Sequence, residues 1–347
     1  MVERLRLALA ALALTGSAWR VLQLPAPASS THTAGPGSVT VAFAGDIALL
    51  GPAPSSLFAR VRGTLSRADI AIGNLEGTLS SGGKSKCGAH STGCFAFESP
   101  PQSAALLRGA GFDDVNVANN HAFDYGASGQ QQTLQALSRY RLRWSGRPGQ
   151  ITVLRSNGVR VAILGFAPYP WAQSLTDIPA AQRLVRQATA RADVVVAVLH
   201  AGAEGVDHQH VPRSTEYYLG EDRGDERRFA HGLVTAGADL VLASGPHVLR
   251  GLQLFHDTLI AYSLGNFATA GHALTTEGVL GESAILVMTL NADGTLGSGR
   301  LLPVQLVGGA PRRISGGDVV RRVNALSRAD FGGSAVLVGS NDALGLG

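Results

Sequence analysis

Lysine is nearly absent from this chain: Lys84 and Lys86 are its two lysines, and the other basic residues are arginines scattered among acids. A formal net charge of +4 without a clustered basic face argues against a nucleic-acid partner. Cysteine is just as scarce. Cys87 and Cys94 lie in a Gly/Ser/Lys segment of turn character, and with His90 the one imidazole nearby they fall short of the four ligands of a structural zinc site. In an oxidising compartment the two would close a small loop as a disulfide. There is no Gly-x-Ser-x-Gly elbow and no Walker-type phosphate loop, which disfavours a serine hydrolase or a nucleotide kinase. No ATP-grasp or P-loop module is recognised either.

Long apolar runs are also lacking. The run Leu7 to Leu14 is shorter than the roughly 20 residues of a spanning helix, although Trp19 to Leu24 extends it past Arg20. Glu3, Arg4 and Arg6 precede the run and Gly16, Ser17 and Ala18 follow it, the layout of a secretory signal. Cleavage after Ala28 in Ala26-Pro27-Ala28 and retention as a membrane anchor both remain open, and either implies an extracytoplasmic protein, secreted or anchored. Residues 1–28 are thus read as signal peptide or anchor, and 29–38, rich in Pro, Ala, Ser and Thr, as a linker. What is present in quantity is apolar: 45% of 347 residues are hydrophobic, enough to bury a large core. One main domain over 39–310 is expected, then a C-terminal helix around Val319 to Leu326 and a flexible Gly/Ser-rich tail over 311–347.

Within that domain, apolar strand-like runs stop on polar or ionisable residues. Val39 to Ala44 ends in Gly45-Asp46, and Ile70 to Ile72 ends in Gly73-Asn74-Leu75-Glu76. Val115 to Ala118 ends in Asn119-Asn120-His121, Val194 to Leu199 in His200, and Leu240 to Ala243 in Ser244-Gly245-Pro246-His247. Helical segments are expected at Ser103 to Gly109, Gln130 to Tyr140, Ala180 to Arg191 and Asp225 to Ala236, and the spacing of Leu57, Val61 and Leu65 predicts another over Ser56 to Ser66. Alternating strands and helices define an α/β fold whose ligands sit outside the carboxyl ends of the strands. Three hairpins are expected, turning at Asn157-Gly158, His256-Asp257 and Ala292-Asp293-Gly294.

A carboxylate at a strand end is a good hard-metal ligand because the sheet fixes its backbone, and Gly45 beside Asp46 lets another group come close. Asp46, Glu76, Asn120, His200 and His247, with Asn74, Glu204 and Asn266 in supporting places, form the mixed oxygen and nitrogen set of a hydrolytic metal centre. Helix capping by Asp46, a loop salt bridge at Glu76 and a purely structural Asn119 are the plainer readings. His208 and His210 form a His-x-His spacing that is common by chance.

Phe43-Ala44-Gly45-Asp46, Gly73-Asn74-Leu75-Glu76-Gly77, Ala118-Asn119-Asn120-His121, Asp124-Tyr125-Gly126, Leu199-His200-Ala201-Gly202-Ala203-Glu204, Gly237-Ala238-Asp239, Gly245-Pro246-His247-Val248 and Tyr262-Ser263-Leu264-Gly265-Asn266-Phe267 together resemble the ordered motifs of the CapA family, over about residues 40 to 270. The resemblance implies an α/β fold of the calcineurin-like metallophosphoesterase kind, with mixed β-sheet layers flanked by α-helices and antiparallel hairpins toward the C-terminus. It implies a divalent metal (Mn, Mg, Zn or Fe) at Asp46, Glu76, Asn120, His200 and His247, with His121 and Asp46 as catalytic residues. It further implies a place in capsule or poly-γ-glutamate biosynthesis, with polyglutamate or another cell-envelope polymer and membrane synthesis machinery as partners. A secreted metal-dependent phosphoesterase and a non-catalytic glycan- or polymer-binding module are the alternatives. The chain departs from fully equipped metallophosphoesterases at two places, having Ala48 and Gly245 where those carry histidines.

Overall fold

Strand Ser38–Leu49 is the axis of the molecule. Val39, Val41 and Phe43 point to one side and Ala42 and Ala44 to the other, and none is more than 1% exposed. Side chains alternate along a strand, so a strand buried on both faces requires a layer on each side. The computed structural model, which describes residues 37–88 and 93–346, supplies both layers.

The first sheet runs in the order Ala310–Arg313, Leu296–Val307, Glu282–Asn291, Ser38–Leu49, Ile70–Leu75, Asp114–Asn116, Arg143–Ser145. Asn266–Ala270 pairs in parallel with the far end of Ser38–Leu49. The second sheet runs Leu252–Phe255, Thr258–Ala261, Leu240–Ser244, Val194–His200, Val159–Phe166, Thr152–Ser156. In both, parallel strands are joined to antiparallel hairpins at the expected turns. The sheets face each other across a core in which Val41, Phe43 and Ile72 meet Val161, Val196 and Leu242. On the outer side of the first sheet, Ala42, Ala44 and Ala71 pack under Leu107 and Leu137 of helices Ser103–Ala110 and Gly126–Arg139. On the outer side of the second, Ala162, Val195 and Ala197 pack under Leu184, Val185, Phe229 and Leu233 of helices Ile178–Thr189 and Glu226–Thr235. The result is helix, sheet, sheet, helix.

The outer helices form for local reasons. In Ile178–Thr189 the buried residues are Ala181, Leu184, Val185 and Ala188, the three-and-four spacing of one helical face. Asp177 caps its start by accepting from the Ala180 amide at 2.9 Å, and Asp225 caps Glu226–Thr235 through the Arg228 amide at 2.9 Å. By contrast, the helix expected over Ser56 to Ser66 is reduced to Arg62–Leu65. Leu57, Val61 and Leu65 are buried as their spacing demands, but Pro54 and Gly63 bracket a run of i to i+3 turn bonds instead of a full helix.

The C-terminal stretch also differs from expectation. Helix Asp318–Phe331 is present, and the residues after it are packed, not loose: Val336, Val338 and Leu344 enter the core between the sheets, and Leu337–Val338 pairs with Leu344–Gly345. The alternation of Val336 and Val338 is a strand period hidden in Gly/Ser-rich surroundings. The charged-then-apolar opening segment, with its cleavage site and linker to residue 36, lies outside the described residues, as does His90. Among the described residues no helix is long and apolar enough to cross a membrane.

Cys87 and Cys94 are joined in a disulfide whose closed segment is anchored on both flanks: Lys86 Nζ lies 2.7 Å from Asp124 Oδ1, and the Phe97 amide donates to Asp124 Oδ2 at 2.6 Å. Closing so short a loop restricts the unfolded chain by about 2 to 3 kcal/mol in the chain-entropy view. A Cys87→Ser/Cys94→Ser chain is therefore expected to melt roughly 3 to 5 °C lower in calorimetry. An unchanged melting temperature would show that the loop owes nothing to its cross-link.

Candidate metal centre

The carboxyl ends of the parallel strands of both sheets meet at one edge, and Asp46 sits at the meeting point. The pairing of Ser38–Leu49 slips at Asp46 against both of its parallel neighbours, and such a bulge re-aims a side chain. Gly45 is required by packing, since a Cβ there would fall 2.0 Å from the Gly265 carbonyl oxygen. Both Asp46 oxygens are engaged: Oδ1 accepts from Asn74 Nδ2 at 2.7 Å, and Oδ2 from the Gly245 amide of the second sheet at 3.1 Å. Asn74 is itself fixed, its Oδ1 accepting from Asn116 Nδ2 at 2.9 Å and Asn119 Nδ2 at 3.2 Å. Asn116 is locked to both backbone groups of Ala118, and it fits only because Gly165 has no side chain.

Around Asp46 gather the other expected residues. Glu76 directly follows strand Ile70–Leu75, is fully buried, and neither of its oxygens has a hydrogen-bond partner. His247 adopts a left-handed backbone at φ 61°, uncommon for a side-chain-bearing residue and characteristic of functional sites. Its Nε2 lies 3.7 Å from Glu76 Oε1 and 3.5 Å from Glu204 Oε2, while its Nδ1 lies 3.3 Å from Asp46 Oδ2 and 2.9 Å from Asn266 Oδ1. His200 is fully buried, with Nδ1 3.6 Å from Asp46 Oδ1 and an unpartnered Nε2 3.8 Å from Glu76 Oε1. Asp46, Glu76 and His247 each bring one ligand atom within 4.8 Å of the others. Asn120 stands farther out, donating through Nδ2 to Glu204 Oε1 at 3.4 Å, with its Oδ1 buried and unpartnered.

The electrostatics are those of a site short of positive charge. Burial drives Glu76 well above the carboxylate range; His247 and Arg223 pull it back, while Asp46 and Glu204 push it further up. Burial opposes charge on His247, yet Glu76, Asp46 and Glu204 hold it well above the imidazole range. Asp46 goes the other way: hydrogen bonds and charge from His200 and His247 overcome its burial and keep it ionised. Glu204 falls to about 2 because His247 and Arg223 outweigh its burial. Orphaned carboxylate oxygens beside two imidazoles fit a divalent cation by their donor chemistry.

His121 stands at the cavity that also touches His247, Glu204 and Asn266. Its Nδ1 lies 2.7 Å from Asp124 Oδ2, and its ring stacks on Phe97 at 4.1 Å. A carboxylate accepts the Nδ1 proton, which leaves Nε2 as the exchanging nitrogen. Burial lowers the His121 pKa more than Asp124 raises it, so the neutral ring is favoured. His210 is remote from this constellation, its Nδ1 bonded to Asp330 at 2.7 Å. The places of the two absent histidines are also accounted for. Ala48 is buried and paired with Thr269, and a Cβ on Gly245 would fall 2.8 Å from the Ala201 carbonyl oxygen, while the Gly245 amide serves Asp46 instead.

Nothing in the local sequence marks Asn116, Arg223 or the Lys86 contact, and Asp124 stands out there only within the Asp124-Tyr125-Gly126 motif. An arginine in a charged hairpin carries no local signature of burial.

Two packed mixed sheets with helices outside, and a buried carboxylate–histidine cluster where the parallel strands end, define an α/β protein with a candidate metal centre at its strand ends. A sequence profile of the bacterial capsule synthesis protein PGA_cap family matches residues 40–270, and the chain belongs to that family. It is 29% identical over 211 residues to the PGA biosynthesis protein CapA of Bacillus subtilis, covering 56% of this chain and 51% of that one. With the capsule biosynthesis protein CapA of Bacillus anthracis it shares 27% identity over 234 residues, 62% of this chain and 53% of that one. The chain thus spans about half the length of these curated relatives. Among solved structures it is similar to a 5'-nucleotidase precursor of Thermus thermophilus, at 14% identity and a TM-score of 0.46 over 80% of this chain and 56% of that one.

Proposed function

We propose that this chain is an extracytoplasmic component of capsule or poly-γ-glutamate biosynthesis, secreted or held at the membrane by its N-terminal segment, that handles an envelope polymer at a divalent-metal centre. The observation that carries the metal reading is Glu76: a fully buried carboxylate with two unpartnered oxygens, converging with Asp46 and His247. Family membership supports the capsule reading.

Asp46, Glu76 and His247 would hold the cation, with His200 and Asn120 next in reach. When bound, it supplies Lewis acidity toward a phosphoryl or carbonyl oxygen. Asn74 and the Gly245 amide keep Asp46 aimed, Asn266 orients His247, and His121 takes up or delivers a proton at Nε2 while Asp124 holds its other nitrogen. That His121–Asp124 pair favours metal-dependent hydrolysis as the second reading.

Asp46→Ala is expected to lose bound metal and to fail in complementation of a strain lacking the gene, whereas His208→Ala behaves as wild type. Metal analysis and a phosphoesterase panel on the same proteins separate the two readings, since only a hydrolase shows Asp46-dependent turnover. Full complementation by Asp46→Ala would remove the site assignment altogether.

A further inference from the structure

Arg223 lies in the hairpin of Glu216–Tyr218 and Glu221–Gly224, and its side chain is 1% exposed. One nitrogen is used: Nη1 is 2.7 Å from Glu204 Oε1 and 3.6 Å from Glu221 Oε2. The other two, Nε and Nη2, are buried without a hydrogen-bond partner. Those two nitrogens form one edge of the guanidinium fork, the edge that grips two oxygens of an anion side by side. Neutralising Glu204 alone would need only a point charge. Arginine adds a donor edge whose burial is unfavourable unless something accepts from it.

The surroundings indicate what that something is. Arg223 lines a cavity of about 230 Å³ together with Lys86, Asn120, His121 and Glu204. The chain's one described ammonium group at the site, Lys86 Nζ, is thus on the same cavity, and Glu204 links Arg223 to His247. The hairpin turns at Leu219 and Gly220, both at positive φ, and Leu219, which also lines the cavity, is 78% exposed. A large apolar side chain is thus held exposed beside the cavity in a left-handed turn, a conformation unfavourable for such a residue. On the other side, Tyr169 ties the hairpin down by donating to Glu221 Oε2 at 2.7 Å.

We propose that Arg223, through its Nε and Nη2 edge, binds an oxyanion group of the substrate beside the metal centre, with Lys86 on the same cavity adding charge, and so sets which substrates dock. This rests on the reading that the centre acts on a substrate. A side-chain carboxylate of an acidic polymer and a phosphate group share the required chemistry.

The test uses the full chain loaded with its divalent metal, titrated calorimetrically with inorganic phosphate and, separately, with a short γ-linked glutamate oligomer. Arg223→Lys keeps a charge beside Glu204 and loses the fork, so affinity for the accepted probe should fall at least roughly tenfold with metal content unchanged. Which probe responds tells carboxylate from phosphate. Wild type binding neither probe, or Arg223→Lys binding both as wild type does, overturns the proposal while leaving the metal centre standing; loss of metal in wild type would instead strike the centre itself. Should Arg223→Lys not fold, a crystal structure of the wild type with the accepted probe decides the matter. A probe oxygen at hydrogen-bond distance from Nε or Nη2 sustains the proposal, and a probe bound elsewhere refutes it.

Discussion

Glutamine in place of Glu76 is expected to weaken divalent-cation binding by roughly 100-fold or more while leaving the cation-free chain at least as stable as wild type. Glu76 is fully buried and makes no hydrogen bond through either oxygen. The imidazole nitrogens beside it, His247 Nε2 at 3.7 Å and His200 Nε2 at 3.8 Å, are too far to satisfy it. Burial and the charges of Asp46 and Glu204 all work against its ionised form, and only His247 and Arg223 favour it. To the fold alone, such a carboxylate is a cost; to a cation it is a ready ligand. Glutamine keeps the shape and removes the charge. Binding linkage should therefore stabilise wild type by about 4 kcal/mol at a Mn²⁺ level ~1,000 times its dissociation constant relative to chelator, and Glu76→Gln by no more than about 1.4 kcal/mol at the same level, read from thermal melts. A variant that loads metal normally, or whose chelated form melts well below chelated wild type, would make Glu76 a structural residue.

The convergence of Asp46, Glu76, His200 and His247 was readable because each ends an apolar run, and parallel strands of an α/β sheet bring such ends to a common edge. The pairing across that edge was not readable. Asp46 and the Gly245 amide are 199 positions apart and belong to different sheets, and no periodicity along the chain records which sheet faces which. The same holds for Asn116, whose amide orients Asn74 through a gap left by Gly165. Burial pattern survived where helix geometry failed: Leu57, Val61 and Leu65 are inside, yet only Arg62–Leu65 is helical. Composition misled at the C-terminus, where Gly and Ser between Val336, Val338 and Leu344 masked side chains that belong to the core.

Removing Arg250 is expected to cost about 3 to 5 kcal/mol, because it strands two buried carboxylates at once. Arg250 is fully buried; Nη2 lies 2.7 Å from Glu216 Oε1, Nη1 lies 2.9 Å from Glu216 Oε2 and 2.8 Å from Glu226 Oε2, and Nε donates to the His208 carbonyl at 2.9 Å. It thereby ties the base of the Arg223 hairpin, the start of helix Glu226–Thr235 and the loop that carries Glu204, and Gly202 must be glycine because a Cβ would fall 2.7 Å from Nη1. One positive charge cannot satisfy two carboxylates in this setting: burial outweighs Arg250 and lifts Glu226 to about 8. An unfolded glutamate loses its proton near pH 4.3, so between there and about pH 8 the folded state holds one proton more than the unfolded chain. The stability from Glu226 is therefore fully present below the lower value and is lost as pH rises through the upper one. Glu226→Gln should remove this slope while keeping an acceptor for Arg250, so that the difference in unfolding free energy between variant and wild type grows from pH 5 to pH 9 in denaturant titrations. Arg250→Met should be strongly destabilised at every pH, and a mild effect in that variant would mean the triad is solvated in the native state.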